Sequence, residues 1–158
     1  MAETAGRVLE HDHHRIDDRF AAFAASLPEG RIDAAAFHEA ADALRHHIYV
    51  EEELHFPALR AAGLLAPVLV MLREHGEIWD LLDLISTALA DGDDATARAS
   101  WPPLAHLLEQ HNAKEERILY PAGDQMLPAE VADEVIATLT LGVTTPGWTC
   151  QLAGREQQ

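Results

Sequence analysis

The sequence is short of cysteine and of basic residues, and both shortages restrict what the protein does. Cys150 is the only cysteine among 158 residues, so the chain forms no internal disulfide. Eleven Lys and Arg stand against 27 Asp and Glu, which gives a formal net charge of −16. Because recognition of nucleic acid and of anionic lipid depends on Lys and Arg, we expect neither as a partner.

Long apolar runs are also missing. No stretch approaches the length of a membrane-spanning helix, and Met1 to Gly6 lacks the basic-then-apolar order of a signal peptide, so we expect a cytoplasmic protein. Aromatic residues make up only 6% of the chain, and β-branched residues are sparse before its last quarter. Abundant Ala and Leu favour helices over strands, which indicates an all-α fold.

Four long stretches carry apolar residues at steps of three and four between turn signals. They run from Glu3 to Leu27, from Asp33 to Pro57 and Gly63, from Pro67 to Ala90, and from about Ser100 to Tyr120-Pro121. Asp33 is a good N-cap, and Pro102 and Pro103 are tolerated in the first turn of the fourth stretch. That stretch places Leu104, Leu108 and Ile118 inward. Short connections predict an antiparallel up-down-up-down four-helix bundle over residues 1–127.

The remaining residues, 128–158, predict a C-terminal appendage to that bundle. Ala129 to Leu141 is amphipathic and predicts a shorter fifth helix. The tail from Gly142 onward has no regular period and is compatible with an ordered lid or a loose end.

The two halves of the chain repeat one motif. Residues 47–57 and residues 111–121 both read H-x3-E-E-x-aliphatic-x-aromatic-P. Upstream of each copy lies a histidine followed three residues later by isoleucine, at His13 and at His75. The chain is therefore two helical hairpins, each supplying one histidine and then one H-x3-E pair.

That spacing suits metal chelation. Residues i and i+4 share one face of a helix, so His47 with Glu51, and His111 with Glu115, each present an imidazole and a carboxylate to one ion. Inside a bundle an unpaired carboxylate is costly to desolvate, so a metal or a hydrogen-bond network must satisfy it. Nitrogen and carboxylate donors suit Fe, Mn or Zn and disfavour calcium and magnesium.

The helix-one histidine has three candidates, His11, His13 and His14. The context shared with His75 and the face shared with Leu9 favour His13 over the other two. Four imidazoles and two carboxylates that converge from four helices are the donors that a dinuclear site needs.

Taken in order, these motifs resemble the hemerythrin-like (HHE) cation-binding family over roughly Arg7 to Met126. The resemblance implies a non-haem pair of iron ions with an oxo, hydroxo or solvent bridge, and it implies a metal site made of His13, His47, Glu51, His75, His111 and Glu115. The two glutamates would bridge the ions.

The chain departs from the family's oxygen carriers, which have a further histidine where Trp79 stands and an aspartate where Glu116 stands. Four imidazoles and two bidentate carboxylates fill about eight of roughly twelve positions of two six-coordinate ions. We therefore expect reaction with O2 or H2O2, as an oxidase or a catalase-like enzyme, rather than oxygen carriage. The alternatives are an iron- or oxygen-sensing module without turnover, and iron storage.

Several other polar residues receive weaker predictions. Asp17 and Asp80 are compatible with extra ligands, with acceptors that orient an imidazole, or with solvated carboxylates. Glu52 and Glu116 lie about 140° from their histidines around the helix axis and are predicted to be surface or orienting groups. Tyr49 and Tyr120 are compatible with phenolate ligands or radical relays, but helical rotation turns Tyr49 away from the site, and Tyr120 is more simply explained by packing and a kink. The remaining predictions are His55 near the site, no function for Cys150, and a surface position for His38, His46 and His106.

Overall fold

The computed structural model describes residues 3–155 and confirms the all-α prediction; the terminal residues 1–2 and 156–158, included in the predicted ranges, lie outside it. Its helices are α1 (Ala5–Ser26), α2 (Ala34–Val50), α3 (Phe56–Ala61), α4 (Leu65–Ala90), α5 (Asp94–Lys114), α6 (Tyr120–Met126) and α7 (Ala129–Leu141). A π-helical turn, Glu51–His55, joins α2 to α3, and a second, Glu115–Leu119, joins α5 to α6. The four long helices, α1, α2, α4 and α5, form the predicted helical bundle. In this bundle α1 packs on α2, and α4 packs on α5.

Side-chain caps set where the rods begin. Thr4, Asp33 and Asp93 each accept a hydrogen bond from a backbone N–H three residues ahead, which satisfies a donor that the first helical turn leaves free. At the end of α4, Gly92 adopts a φ of 70°, a left-handed conformation that favours glycine. Short turns of this kind hold neighbouring rods antiparallel.

The prediction that the fourth helix starts near Ser100 was wrong. The Asp93 cap starts α5 at Asp94, so Pro102 and Pro103 lie about two turns inside the helix rather than in its first turn. Each proline removes one backbone hydrogen bond. The helix persists because Leu104 and Leu108 are buried in the core on its inner face.

Pro57 and Pro121 do not end their helices either. A proline clashes with the carbonyl four residues earlier, and the wide π turn that ends two residues before each proline accommodates it. Ile118 and Leu119 lie within the second π turn, whose wider winding leaves Leu119 fully buried while Ile118, predicted to point inward, is 47% exposed.

Two apolar clusters fill the bundle, with a polar layer between them. On α1, Leu9 belongs to one cluster and Phe20 to the other, with His13 between the two along the helix. On α4, Met71 and Ile78 flank His75 in the same way. The layer of histidines and glutamates is therefore enclosed by hydrocarbon on both sides.

The C-terminal helix and tail pack onto the bundle. Val135 of α7 is fully buried in the cluster that contains Leu9, and the boundary predicted at residues 127/128 falls just before this helix. His46, predicted to lie on the surface, is buried because the C-terminal helix and tail cover it. Its Nδ1 lies 2.8 Å from Thr144 Oγ1, and its Nε2 lies 3.0 Å from the Thr138 carbonyl. The division of the chain into a bundle over residues 1–127 and a C-terminal helix and tail over residues 128–158 stays a prediction.

Within residues 3–155, no helix combines the length and the apolar character needed to cross a membrane.

The close approach of the tail to α4 is testable at Gly76. A Cβ at this position would lie 2.6 Å from the Leu152 carbonyl oxygen, so Gly76→Ala must push the tail away. The helix gains about 1 kcal/mol from alanine, whereas overpacking typically costs about 1–3 kcal/mol. We expect a lower melting temperature and faster reaction of the buried Cys150 with a thiol reagent. Gly30→Ala, which meets nothing within 4 Å, is the control; unchanged thiol reactivity in Gly76→Ala would show that the tail does not pack there.

Candidate metal centre

Two glutamates lie at the middle of the polar layer. Glu51 and Glu115 each occupy the first position of a π turn, and both side chains are fully buried. Each lies one helical turn after a histidine, so His47 Nε2 is 3.5 Å from Glu51 Oε1 and His111 Nε2 is 3.2 Å from Glu115 Oε1. The H-x3-E pairs therefore face inward together.

The structure brings all six predicted residues into two groups that share both glutamates. His13 and His47 form one group with Glu51 and Glu115, and His75 and His111 form the other with the same two carboxylates. Within each group the ligand atoms lie within 4.8 Å of one another, and every member is buried. His13 Nε2 reaches Glu115 Oε1 at 3.2 Å, and His75 Nε2 reaches Glu51 Oε1 at 3.3 Å.

Unsatisfied polar atoms show that the second group fits a cation. Glu51 Oε1, Glu115 Oε2 and His75 Nε2 are buried without a hydrogen-bond partner among residues 3–155. A buried polar atom without a partner is costly, and three of them converge here, each offering a lone pair. The group is thus suited to hold a metal ion.

Tyr120 occupies the centre of the first group, which corrects its prediction as a packing residue. Its hydroxyl donates to Glu51 Oε2 at 2.8 Å and lies 3.0 Å from His13 Nε2 and 3.1 Å from His47 Nε2. The equivalent position in the first hairpin is Phe56, which stacks on His75 at 5.4 Å and offers no polar atom. The two groups are therefore chemically unequal.

The π turn explains why sequence reasoning missed Tyr120. On a regular α-helix, a residue five positions after Glu115 points about 140° away from it. Here the Tyr120 N–H donates to the Glu115 carbonyl, the i+5 to i pattern of a π turn, which brings both side chains to one face. The repeated aromatic-proline pair was the available signal.

Acidic side chains hold the outer nitrogens of three histidines. Asp12 Oδ2 lies 2.8 Å from His47 Nδ1, and Glu52 Oε2 lies 2.7 Å from His75 Nδ1. Glu74 Oε1 lies 3.0 Å from the Nδ1 of His111. Such contacts fix the tautomer in which Nδ1 carries the proton and direct the Nε2 lone pair towards a metal.

These contacts form a ring around the bundle. Each acid lies on the helix before the one that carries its histidine, in the order α1 to α2, the first π turn to α4, and α4 to α5. The fourth link, Glu116 to His13 Nδ1, is longer at 3.9 Å, and that nitrogen has no hydrogen-bond partner among residues 3–155. Sequence reasoning missed the roles of Asp12 and Glu74, although each stands directly before a site histidine in the sequence.

The remaining candidates lie outside the two groups. His14, whose side chain is 65% exposed, and His11 face outward, so only His13 of the three reaches the buried glutamates. Asp17 is exposed, and Asp80 accepts a hydrogen bond from the Gly154 backbone. Trp79 packs on Trp148 in the core, with ring centroids 5.6 Å apart. His55 is buried beside Tyr120, and Tyr49 packs against Trp148. His38 and His106 are exposed, as predicted.

Burial and charge compete in the protonation of the site. Burial opposes the charged form of His111, but Glu115 and Glu74 outweigh it and raise its pKa to about 10. Burial likewise opposes ionisation of Glu51, yet the charge of His47 and hydrogen bonds lower its pKa well below the usual range. The Tyr120 pKa is raised well above its ordinary value by burial and by both glutamates, so its hydroxyl keeps its proton. Without metal, His111 therefore holds a proton at neutral pH and Glu51 is a carboxylate.

The fold and the site together define a helical bundle with a buried histidine and carboxylate centre for metal cations. The profile of the hemerythrin HHE cation binding domain matches residues 4–123, which is most of the chain. The chain belongs to this family. No curated protein and no solved structure matched it.

The ring of acids predicts a measurable effect on metal affinity. Glu74→Ala removes the acceptor for His111 Nδ1, so we expect metal to bind roughly ten- to hundredfold more weakly. Glu77→Ala changes an acid three residues along α4 that makes no such contact and is the matched control. Competition against a coloured chelator measures both affinities, and equal values for the two variants would remove the orienting role of Glu74.

The raised histidine pKa predicts that metal uptake releases protons. Protons stay on metal-free His111 from below its ordinary pKa of 6.5 up to about 10, so in that window a metal must displace them and affinity rises with pH. The same protonation stabilises the metal-free fold fully below pH 6.5 and is lost as the pH rises through about 10.

Calorimetry at pH 7 in buffers of different ionisation enthalpy measures the protons released. We expect net release, which His106→Ala leaves unchanged because His106 is exposed and outside both groups. Uptake without any proton release would contradict the protonated state.

Proposed function

We propose that the protein binds two iron ions, with His13 and His47 on one ion, His75 and His111 on the other, and Glu51 and Glu115 bridging both. The observation that carries this proposal is that two buried groups share the same two carboxylates. A single-ion site would not need four imidazoles arranged in pairs. Three unsatisfied atoms at the second group support the same conclusion.

The choice of iron rests on the donors and on the family. Imidazole nitrogen with carboxylate oxygen suits iron, manganese or zinc, and the family resemblance favours iron among them. The solvent, oxo or hydroxo bridge expected between the ions is part of the same proposal. Cytoplasmic location also stays a prediction.

We propose further that the centre reacts with O2 or H2O2, in an oxidase or catalase-like role. A pair of ferrous ions would supply two electrons to oxygen or to one peroxide, and the ferric pair so formed would take two electrons from a second peroxide. The chain leaves coordination positions free, because four imidazoles and two carboxylates fill about eight of roughly twelve. With a net charge of −16, small neutral oxidants are better partners than nucleic acid.

The surrounding residues suit this chemistry in two ways. The Tyr120 hydroxyl holds a proton 2.8 Å from Glu51 Oε2, inside the first group, where a reduced oxygen atom needs one. A groove of about 520 Å³ that His13 and Trp101 help to line opens to solvent and brings small molecules to the edge of the centre. The apolar clusters on both sides exclude bulk water.

Anaerobic metal analysis followed by absorption spectroscopy tests the proposal. We expect two irons per chain and a new charge-transfer band on adding O2 and then H2O2, which decays as peroxide is consumed. Glu115→Gln should lose iron, whereas Glu109→Gln, an exposed acid on the same rod, should retain it. Iron that leaves both the spectrum and the peroxide level unchanged would refute oxidant reactivity, and binding beyond two ions per chain would favour storage.

One observation favours the second candidate function, an iron- or oxygen-sensing module. The Gln151 backbone N–H donates to Glu52 Oε1 at 2.8 Å, and the other oxygen of the same carboxylate contacts His75. A change at His75 would therefore reach the surface tail through a single side chain. Limited proteolysis of the tail with and without iron separates the candidates, because identical patterns would exclude a switch of this kind.

A further inference from the structure

A third cluster of metal-binding side chains lies at the edge of the groove between α1 and α5, and two of its three members, His14 and Glu116, line the groove. Glu10, His14 and Glu116 each place one ligand atom within 4.8 Å of the others. Glu10 and His14 are exposed and Glu116 is half-buried, unlike the buried members of the centre. One imidazole and two carboxylates are donors that suit divalent transition metals.

A second observation connects this cluster to the buried centre. Glu116 Oε1 lies 3.8 Å from the exposed His14 Nε2 and 3.9 Å from the buried His13 Nδ1. His13 is only 2% exposed, and this nitrogen, which faces Glu116, has no hydrogen-bond partner among residues 3–155. Its three counterparts are held at 2.7 to 3.0 Å by their acids. The open link in the ring therefore lies where the outer cluster meets the centre.

The environment of the groove favours a cation. Asp17, Glu109 and Glu116 line it, and no Lys or Arg is among its lining residues, all of which lie in the described part of the chain. Clefts lined by one sign of charge raise the local concentration of the opposite ion. Phe20 and Trp101 form its apolar wall.

We propose that Glu10, His14 and Glu116 form an outer site that captures a divalent transition-metal ion, Fe²⁺ in the proposed function, and passes it to the buried centre beside His13. Glu116 contacts both histidines and can follow the ion inward by rotation of its carboxylate. Because no hydrogen bond from the described residues holds the outer nitrogen of the His13 ring, that side of the ring is less constrained than in the other three histidines. The outer site would load the centre without contributing to its final ligand set. This inference rests on the proposed dinuclear centre.

The kinetics of iron loading test the outer site. Metal-free protein is mixed anaerobically with Fe²⁺ held by a weak coloured chelator, and the loss of colour follows uptake. The variants are His14→Ala, Glu10→Gln and the two together; the matched controls are His106→Ala and Glu134→Gln, exposed residues outside the groove. We expect loading roughly tenfold slower in the double variant, by analogy with other groups just outside a metal centre. Final iron content should equal that of the parent.

Equilibrium dialysis of the iron-loaded protein against Co²⁺ supplies an independent measurement. The parent should bind one more ion than His14→Ala does, and His106→Ala should match the parent. Loading at the parent rate in the double variant would overturn the outer site while leaving the dinuclear centre intact. A lower final iron content would also overturn it, because His14 would then belong to the centre itself. Failure of the parent to take up any iron would refute the dinuclear centre and the outer site together.

Discussion

The structure depends on two carboxylates that are buried side by side in an apolar bundle. Removing Glu51 and Glu115 from water costs several kcal/mol for each ion unless opposite charges and hydrogen bonds compensate. Their mutual repulsion adds to that cost, and both burial and Glu51 raise the pKa of Glu115. Four imidazoles answer this demand, since His111 and His13 lower that pKa again. A bundle without these histidines would have two uncompensated charges in its core.

The need to compensate these two buried charges explains why each of the four long helices contributes a histidine to the same polar layer. A polar layer between two apolar clusters is stable only when every donor and acceptor in it has a partner. Protons provide the partners when metal is absent, and cations replace them when metal binds. Three of the atoms that lack partners among residues 3–155, Glu51 Oε1, Glu115 Oε2 and His75 Nε2, lie in the second group, where Phe56 replaces the hydroxyl of Tyr120. The repeat is therefore symmetric in its ligands and asymmetric in its surroundings.

The sequence predicts the fold class and the six residues of the layer because both depend on regular helical spacing. His47 and Glu51 meet on one face at four-residue spacing, and the duplicated motif makes chance an unlikely cause. Helical periodicity cannot locate a residue within or beyond a π turn, which is why Ile118 and Tyr120 were misplaced. Helical periodicity also carries no information on contacts between helices, such as the contact of Asp12 with His47.

The ring of acids has one consequence that no single link shows. Three closed links fix three imidazoles from neighbouring rods, so the relative positions of α1, α2, α4 and α5 and the orientation of the ligands are stabilised by the same hydrogen bonds. A ring with all four links closed would hold every ligand rigidly and would hinder the passage of an ion. The long Glu116 link leaves His13 less constrained, where a groove that His13 helps to line opens to solvent. Three histidines held by hydrogen bonds and a fourth that is less constrained form the arrangement expected of a centre that must both retain a metal and receive one.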